Sequence, residues 1–134
     1  MKKIIHTLCI LTLLAAFQGC TVRGGDYPPY GENSTWALCN HLWEGTYVEA
    51  DGSLVDHQII FYTDGRGEES LRYNRYGAIY EEHYEFYWQW SNSLQNSLTL
   101  SYPGGGILYM DQVYLDYDLF SCLLNGIYIN FRGQ

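Results

Sequence analysis

The sequence predicts an all-β domain, a single antiparallel up-and-down meander of about eight strands closing into a small barrel. Three observations carry this expectation. Short runs alternate apolar and polar residues with a period of two. Turn signals such as Asp51-Gly52, Asp64-Gly65 and Asn125-Gly126 punctuate those runs every ~12 residues. No stretch with helical periodicity competes between residues 38 and 134. Every connection is short, so sequence neighbours should pair antiparallel. Eight tilted strands can close on themselves and so remove exposed edges.

The first predicted strand covers 41–49 and ends at the Asp51-Gly52 turn. The second covers 55–63 and sets Val55, His57, Ile59 and Phe61 on one face. Asp64-Gly65 then gives the strongest hairpin signal in the chain. The third strand, 67–74, is the most polar and is expected at an edge or only weakly buried. The fourth, 80–90, is the most aromatic: Tyr84, Phe86, Trp88 and Trp90 share one face. Glu81, His83, Glu85 and Gln89 share the other, with Tyr87 its one aromatic. The fifth strand, 97–102, alternates Leu98, Leu100 and Tyr102. Residues 103–106, Pro-Gly-Gly-Gly, form a loop. The sixth, 107–115, loses its alternation at Asp111-Gln112, as a β-bulge would cause. The seventh covers 119–124. Asn125-Gly126 predicts a type I′ turn into the eighth, 127–132.

The N-terminal residues belong to targeting rather than fold. Met1-Lys2-Lys3 is a basic start and 4–17 is a mostly apolar run, short for a membrane span. The run ends in Phe17-Gln18-Gly19-Cys20, which resembles the lipobox of bacterial lipoproteins, with Phe17 and Gln18 departing from the usual Leu and small residue. The resemblance implies a signal peptide over 1–19, lipidation of Cys20, a flexible tether over 20–37 and a barrel domain over 38–134. It implies a lipid-anchored protein of the bacterial cell envelope, at the outer membrane. Both lysines lie in the signal, so five arginines face 15 acids after it, a net of −10. That charge repels nucleic acid and anionic head groups. The expected membrane contact is therefore the lipid alone. Cys39 and Cys122 are expected to stay free thiols, because the predicted layout separates them by ~13 Å along the barrel and disulfide Cα atoms must approach within about 7 Å.

Within the barrel, four segments occur in order: Leu42-Trp43-Glu44-Gly45-Thr46-Tyr47, Asp64-Gly65-Arg66-Gly67, the aromatic strand through Trp90, and Tyr128-Ile129-Asn130-Phe131-Arg132. In this order they are similar to the lipocalin-like domains of small bacterial (Bacteroidetes-type) lipoproteins of unknown function. Trp43 precedes the Gly, where that family has Trp after it. The resemblance implies a barrel with a ligand site at one end. The loops 50–54, 74–79, 103–106 and 124–126 form the expected mouth. The barrel layout also brings Arg132 to the end where Trp43 lies, which predicts a cation–π contact with Trp43 or Tyr47.

Catalytic and metal chemistry is poorly supplied. His41, His57 and His83 lack the paired spacing of a zinc site, and Glu81, Glu82 and Glu85 read as a solvated face rather than an acid–base pair. No Gly-x-Ser-x-Gly elbow is present. The expectation is a protein without catalytic residues, metal or cofactor. Its fourteen tyrosines and four tryptophans are the unusual quantity. They either pack a small core or form a surface for a small apolar or sugar ligand. Tyr47, Tyr84, Phe86 and Trp88 are the expected ligand contacts. Tyr62, Tyr73, Tyr76 and Tyr87 are the expected outward aromatics. The alternative role is a protein–protein or structural component of an envelope complex.

Overall fold

The computed structural model describes residues 34–134. The expected signal peptide, Cys20 and most of the expected tether lie outside the described residues. A short helix, α1 (Ser34–Cys39), precedes eight strands: β1 (Leu42–Val48), β2 (Leu54–Phe61), β3 (Arg66–Arg75), β4 (Ala78–Trp90), β5 (Leu98–Ser101), β6 (Ile107–Asp116), β7 (Leu119–Leu124) and β8 (Ile127–Gly133). All neighbouring strands pair antiparallel, and β1 meets β8 to close the barrel in strict sequence order. The turn chemistry is as the residues predict. Asn125 and Gly126 both have positive φ, 49° and 80°, as a type I′ turn requires. The β6–β7 register shifts between Asp111 and Tyr114, which is the expected irregularity.

The core gathers at one end, here called the base, where β1 starts and β8 finishes. Phe120 stacks on Phe131 at 5.1 Å, and Phe61 meets Trp88 and Phe86 edge-on at 5.6 Å each. Trp43 is fully buried against Phe120. Rings of this size supply the buried area that a domain of about a hundred residues needs. Helix α1 closes the base. It is unexpected from the sequence, because a single turn and a half is too short to show a period. Its stability is tertiary, since so short a helix does not hold alone. Leu38 is fully buried, the Trp43 indole N–H donates to the Leu38 carbonyl at 2.8 Å, and the Trp90 indole N–H donates to Thr35 Oγ1 at 2.8 Å. Helix α1 thus includes residues 34–37, which the sequence assigns to the tether.

Two expectations are corrected. β3 is not an edge strand: it pairs along its length with both β2 and β4. Its polarity has another cause, because Glu69 points into the barrel and is buried. Arg132 does lie at the base with Trp43, where Gly133 pairs with Trp43 and Arg132 with Glu44. But alternation turns Arg132 outward, and its guanidinium reaches Asp118 at 3.6 Å while Trp43 faces in. The cation–π contact is not made. Cys39 and Cys122 are free thiols. Burial, then Asp64, pushes the Cys39 thiol up to about 11, and burial, then Asp111, pushes Cys122 up to about 12, so both stay protonated at neutral pH.

The barrel is unevenly zipped. β3 and β4 pair over Arg66–Arg75 and Ala78–Tyr87, but β4 meets β5 only from Tyr87 to Trp90. On the opposite side, β8 meets β1 only from Trp43 to Gly45. The β1–β4 leaf and the β5–β8 leaf therefore join at the base and part above it.

Gly67 sits where this base is tightest. A Cβ there would overlap the Phe86 ring and come within 2.8 Å of the Ile60 carbonyl oxygen. Gly67→Ala is expected to destabilise the domain by about 1–3 kcal/mol, as overpacking does. Urea unfolding checks this; an unchanged midpoint would contradict the packing described.

Candidate functional site: the cavity between the two leaves

Above the aromatic base the parted leaves frame an open cavity of about 1000 Å³. Three of the four expected mouth loops border it, through Ala50, Asp51, Pro103, Gly104, Gly106 and Asn125. The 74–79 loop does not. Of the expected ligand contacts, Tyr47 and Tyr84 line the cavity, and Phe86 and Trp88 do not. The reason is the height at which β4 meets β5. Phe86 and Trp88 lie at that closure and are packed away, 2% and 9% exposed. The Trp88 indole N–H is also committed to the Tyr62 and Arg66 carbonyls, 3.0 Å each, so it fastens the β2–β3 turn. Tyr84, one turn of the pleat higher, is 42% exposed.

The floor of the cavity is polar. Glu69 is 7% exposed, and both carboxylate oxygens are occupied. The Tyr102 hydroxyl donates to Oε1 at 2.6 Å, and His57 Nε2 lies 2.8 Å from Oε2. His57 is itself 1% exposed, with the Tyr47 hydroxyl 3.5 Å from Nδ1. With its proton on Nε2, His57 donates to the carboxylate and presents Nδ1 to Tyr47. These bonds are what make an acid tolerable in a barrel interior. Higher up, the Tyr84 hydroxyl donates to Glu82 at 2.9 Å, and Tyr84 meets Tyr102 edge-on at 5.9 Å. Burial raises the phenol pKa of Tyr47, Tyr73 and Tyr102 well above the ordinary 10, helped next by Tyr73 and then Glu49 at Tyr47, by Glu49 and Glu82 at Tyr73, and by Glu69 at Tyr102. All three remain neutral donors. The remaining wall is apolar: Leu71, Ile107, Leu108, Leu124 and Ile127.

Of the other candidate residues, His57, His83, Glu82 and Glu85 border the cavity, and His41 and Glu81 do not. His41 packs edge-on against Trp43 at the base, His57 is inside, and His83 is exposed. Glu81 and Glu85 are exposed, as expected of their face. Among the described residues, no group of three potential ligands is placed to hold a metal ion. No serine, threonine or cysteine is among the residues lining the cavity. Of the tyrosines expected outside, Tyr62, Tyr76 and Tyr87 are exposed, but Tyr73 turns inward, lines the cavity and stacks on Tyr80 at 4.7 Å. Comparison of the chain with protein-family models, with curated proteins and with solved structures finds no match in any of the three. The cavity itself is thus the ground for a functional reading.

Glu69 and Tyr102 are the site residues that motif reading missed, and Glu82, expected on a solvated face with Glu81 and Glu85, is instead half-buried and turned to the cavity, because it falls on the opposite face of the pleat from them. Alternation held the signal. Gly67, Glu69, Leu71 and Tyr73 share one face of β3, and the register sets Ile59 opposite Glu69 and His57 opposite Leu71. An acid on that apolar face, diagonal to a histidine, marks a buried polar pair.

The raised phenols carry a pH dependence of definite sign. Folded Tyr47, Tyr73 and Tyr102 keep their protons above the pH at which the unfolded chain loses them, so the stability these three contribute is full below pH ~10 and falls as pH rises beyond it, adding to the fall that the raised Cys39 and Cys122 thiols begin near pH ~9. Tyr102→Phe is expected to make that alkaline fall shallower, while costing about 1.5–3 kcal/mol at neutral pH through the lost bond to a charged acceptor. Urea unfolding across pH checks both; an equally steep alkaline limb in the variant would contradict the assignment.

Proposed function

We propose that this chain is a lipid-anchored cell-envelope protein whose barrel is a non-enzymatic binding module for a small ligand. The carrying observation is the cavity, open at the mouth and sealed at the base. Its size lies at the upper end of the ~300–1,000 Å³ typical of small-molecule sites. Its lining mixes an apolar wall with a few oriented hydroxyls, the composition that buries a ligand and fixes its orientation. The anchor reading is supported by the basic start, apolar run and Phe17-Gln18-Gly19-Cys20, and the lipocalin-like reading by the ordered segments from Leu42 to Arg132.

Binding of the neutral dye Nile red tests the module. The full chain is expected to bind one dye with a blue-shifted emission, and Ile127→Trp, which fills the cavity from its wall, is expected to abolish that component. The difference between the two proteins removes dye dissolved in the anchor's lipid. A folded parent that binds no more dye than the variant would refute the reading. A second reading, a partner protein, is supported by the edge of β4 before Tyr87, which β5 does not pair, with Ile79 and Tyr80 exposed beside it. Such an edge accepts an added strand. Native mass spectrometry of material from the host separates the two by the mass of what remains bound.

A further inference from the structure

The cavity's electrostatics are one-sided. Glu49, Glu69, Glu82 and Glu85 border it, with Asp51 at the rim, and no arginine or lysine does. The arginines are spent elsewhere. Arg66 pairs with Asp64 at 2.8 Å, Arg72 with Glu81 at 3.8 Å, Arg75 with Asp51 at 3.6 Å and Arg132 with Asp118 at 3.6 Å. Among the described residues, then, Glu49, Glu69, Glu82 and Glu85 have no arginine partner. Even with both bordering histidines protonated, the acids outnumber the cations. The carboxylates at the floor and wall are also oriented: Tyr102 holds Glu69 and Tyr84 holds Glu82 by hydroxyl donation. Both are pointed by phenols whose rings meet edge-on at 5.9 Å.

We propose that the cavity takes an organic cation, an amine or quaternary ammonium group carried on an apolar or aromatic body; this rests on the small-ligand reading above. The cationic end sits among Glu69, Glu82 and the tyrosine faces. The apolar body lies against Leu71, Ile107 and Ile127. Three kinds of force converge on that division. Carboxylates in a partly dehydrated cavity attract a cation far more strongly than in water. Tyrosine faces add cation–π attraction. An anionic ligand, a fatty acid for example, meets repulsion from the same carboxylates with no basic group to receive its head. A neutral sugar would find hydroxyl partners but would leave the carboxylates' charge unmatched.

Calorimetric titration of the full chain with three indoles of one shape and different charge tests this: tryptamine, a cation; tryptophol, neutral; and indole-3-acetate, an anion. Tryptamine is expected to bind at least about tenfold more tightly than tryptophol, the remainder once desolvation offsets much of the charge attraction, with indole-3-acetate weakest. Glu69→Gln with Glu82→Gln, its folding checked by cooperative urea unfolding, is expected to bring tryptamine and tryptophol close to parity. If the Glu69 substitution does not fold, Glu82→Gln alone, on the more accessible carboxylate, is expected to narrow the gap. Equal binding of tryptamine and tryptophol by a protein that binds Nile red overturns the cation inference and leaves the small-ligand reading standing. A protein that binds neither Nile red nor any indole overturns both.

Discussion

Strand β4 is thirteen residues long and its neighbour β5 is four. That mismatch is the constraint on which the rest of the structure depends. Antiparallel neighbours of equal length zip a barrel shut from end to end. Here β5 turns back at Ser101, so the first two thirds of β4 keep β3 as their only ladder partner. The short β1–β8 ladder lets the opposite seam part as well. A closed ring at the base and two diverging leaves above it follow directly, and the cavity is the space between the leaves.

The same division sorts the side chains. Where the ring is closed, buried rings meet edge-on or stacked, and helix α1 seals the end through two indole N–H bonds. Where the leaves part, the interior becomes polar, and a glutamate sits where an apolar residue would stabilise the fold more. Burying Glu69 is costly even when two donors satisfy it. The dense base supports that cost, so the arrangement spends core stability on a chemically distinctive floor. Sites are often drawn from such positions, where local rules of burial are broken and compensated nearby.

Much of this was legible in the residues. Eight strands, their order, the Asp64-Gly65 and Asn125-Gly126 turns and the irregularity after Asp111 all follow from alternation and turn chemistry, which are local. Three of the four mouth loops followed from the meander, and the 74–79 loop does not border the cavity. What failed was what depends on ladder length, a non-local quantity. Phe86, Trp88 and Tyr84 share a face, and nothing in that face says that closure falls at Tyr87. Hence Trp88 was expected in the cavity and belongs to the base. The polar run in β3 reads as an edge or weakly buried strand because alternation alone marks Glu69 as inward, while the partners that make its burial tolerable are twelve and 33 residues away. Arg132 and Trp43 were expected in contact from their shared height, and the pleat put them on opposite faces. Helix α1 is held by tryptophans from two strands, so its own six residues carried little signal.

The parted seam is open to one direct measurement, residue-resolved amide hydrogen exchange along β4. The Trp88 amide donates to Gly65 on the β3 side, so the odd-numbered amides of β4 face β5. Tyr87 and Gln89 lie within the β4–β5 ladder, whereas Ile79, Glu81, His83 and Glu85 lie beyond it. The amides of those four residues are expected to exchange rapidly while Tyr87 and Gln89, in the same strand, are protected. Protection continuing from Gln89 up to Glu81 would mean a barrel zipped past the base, and would contradict the cavity from which the function is inferred.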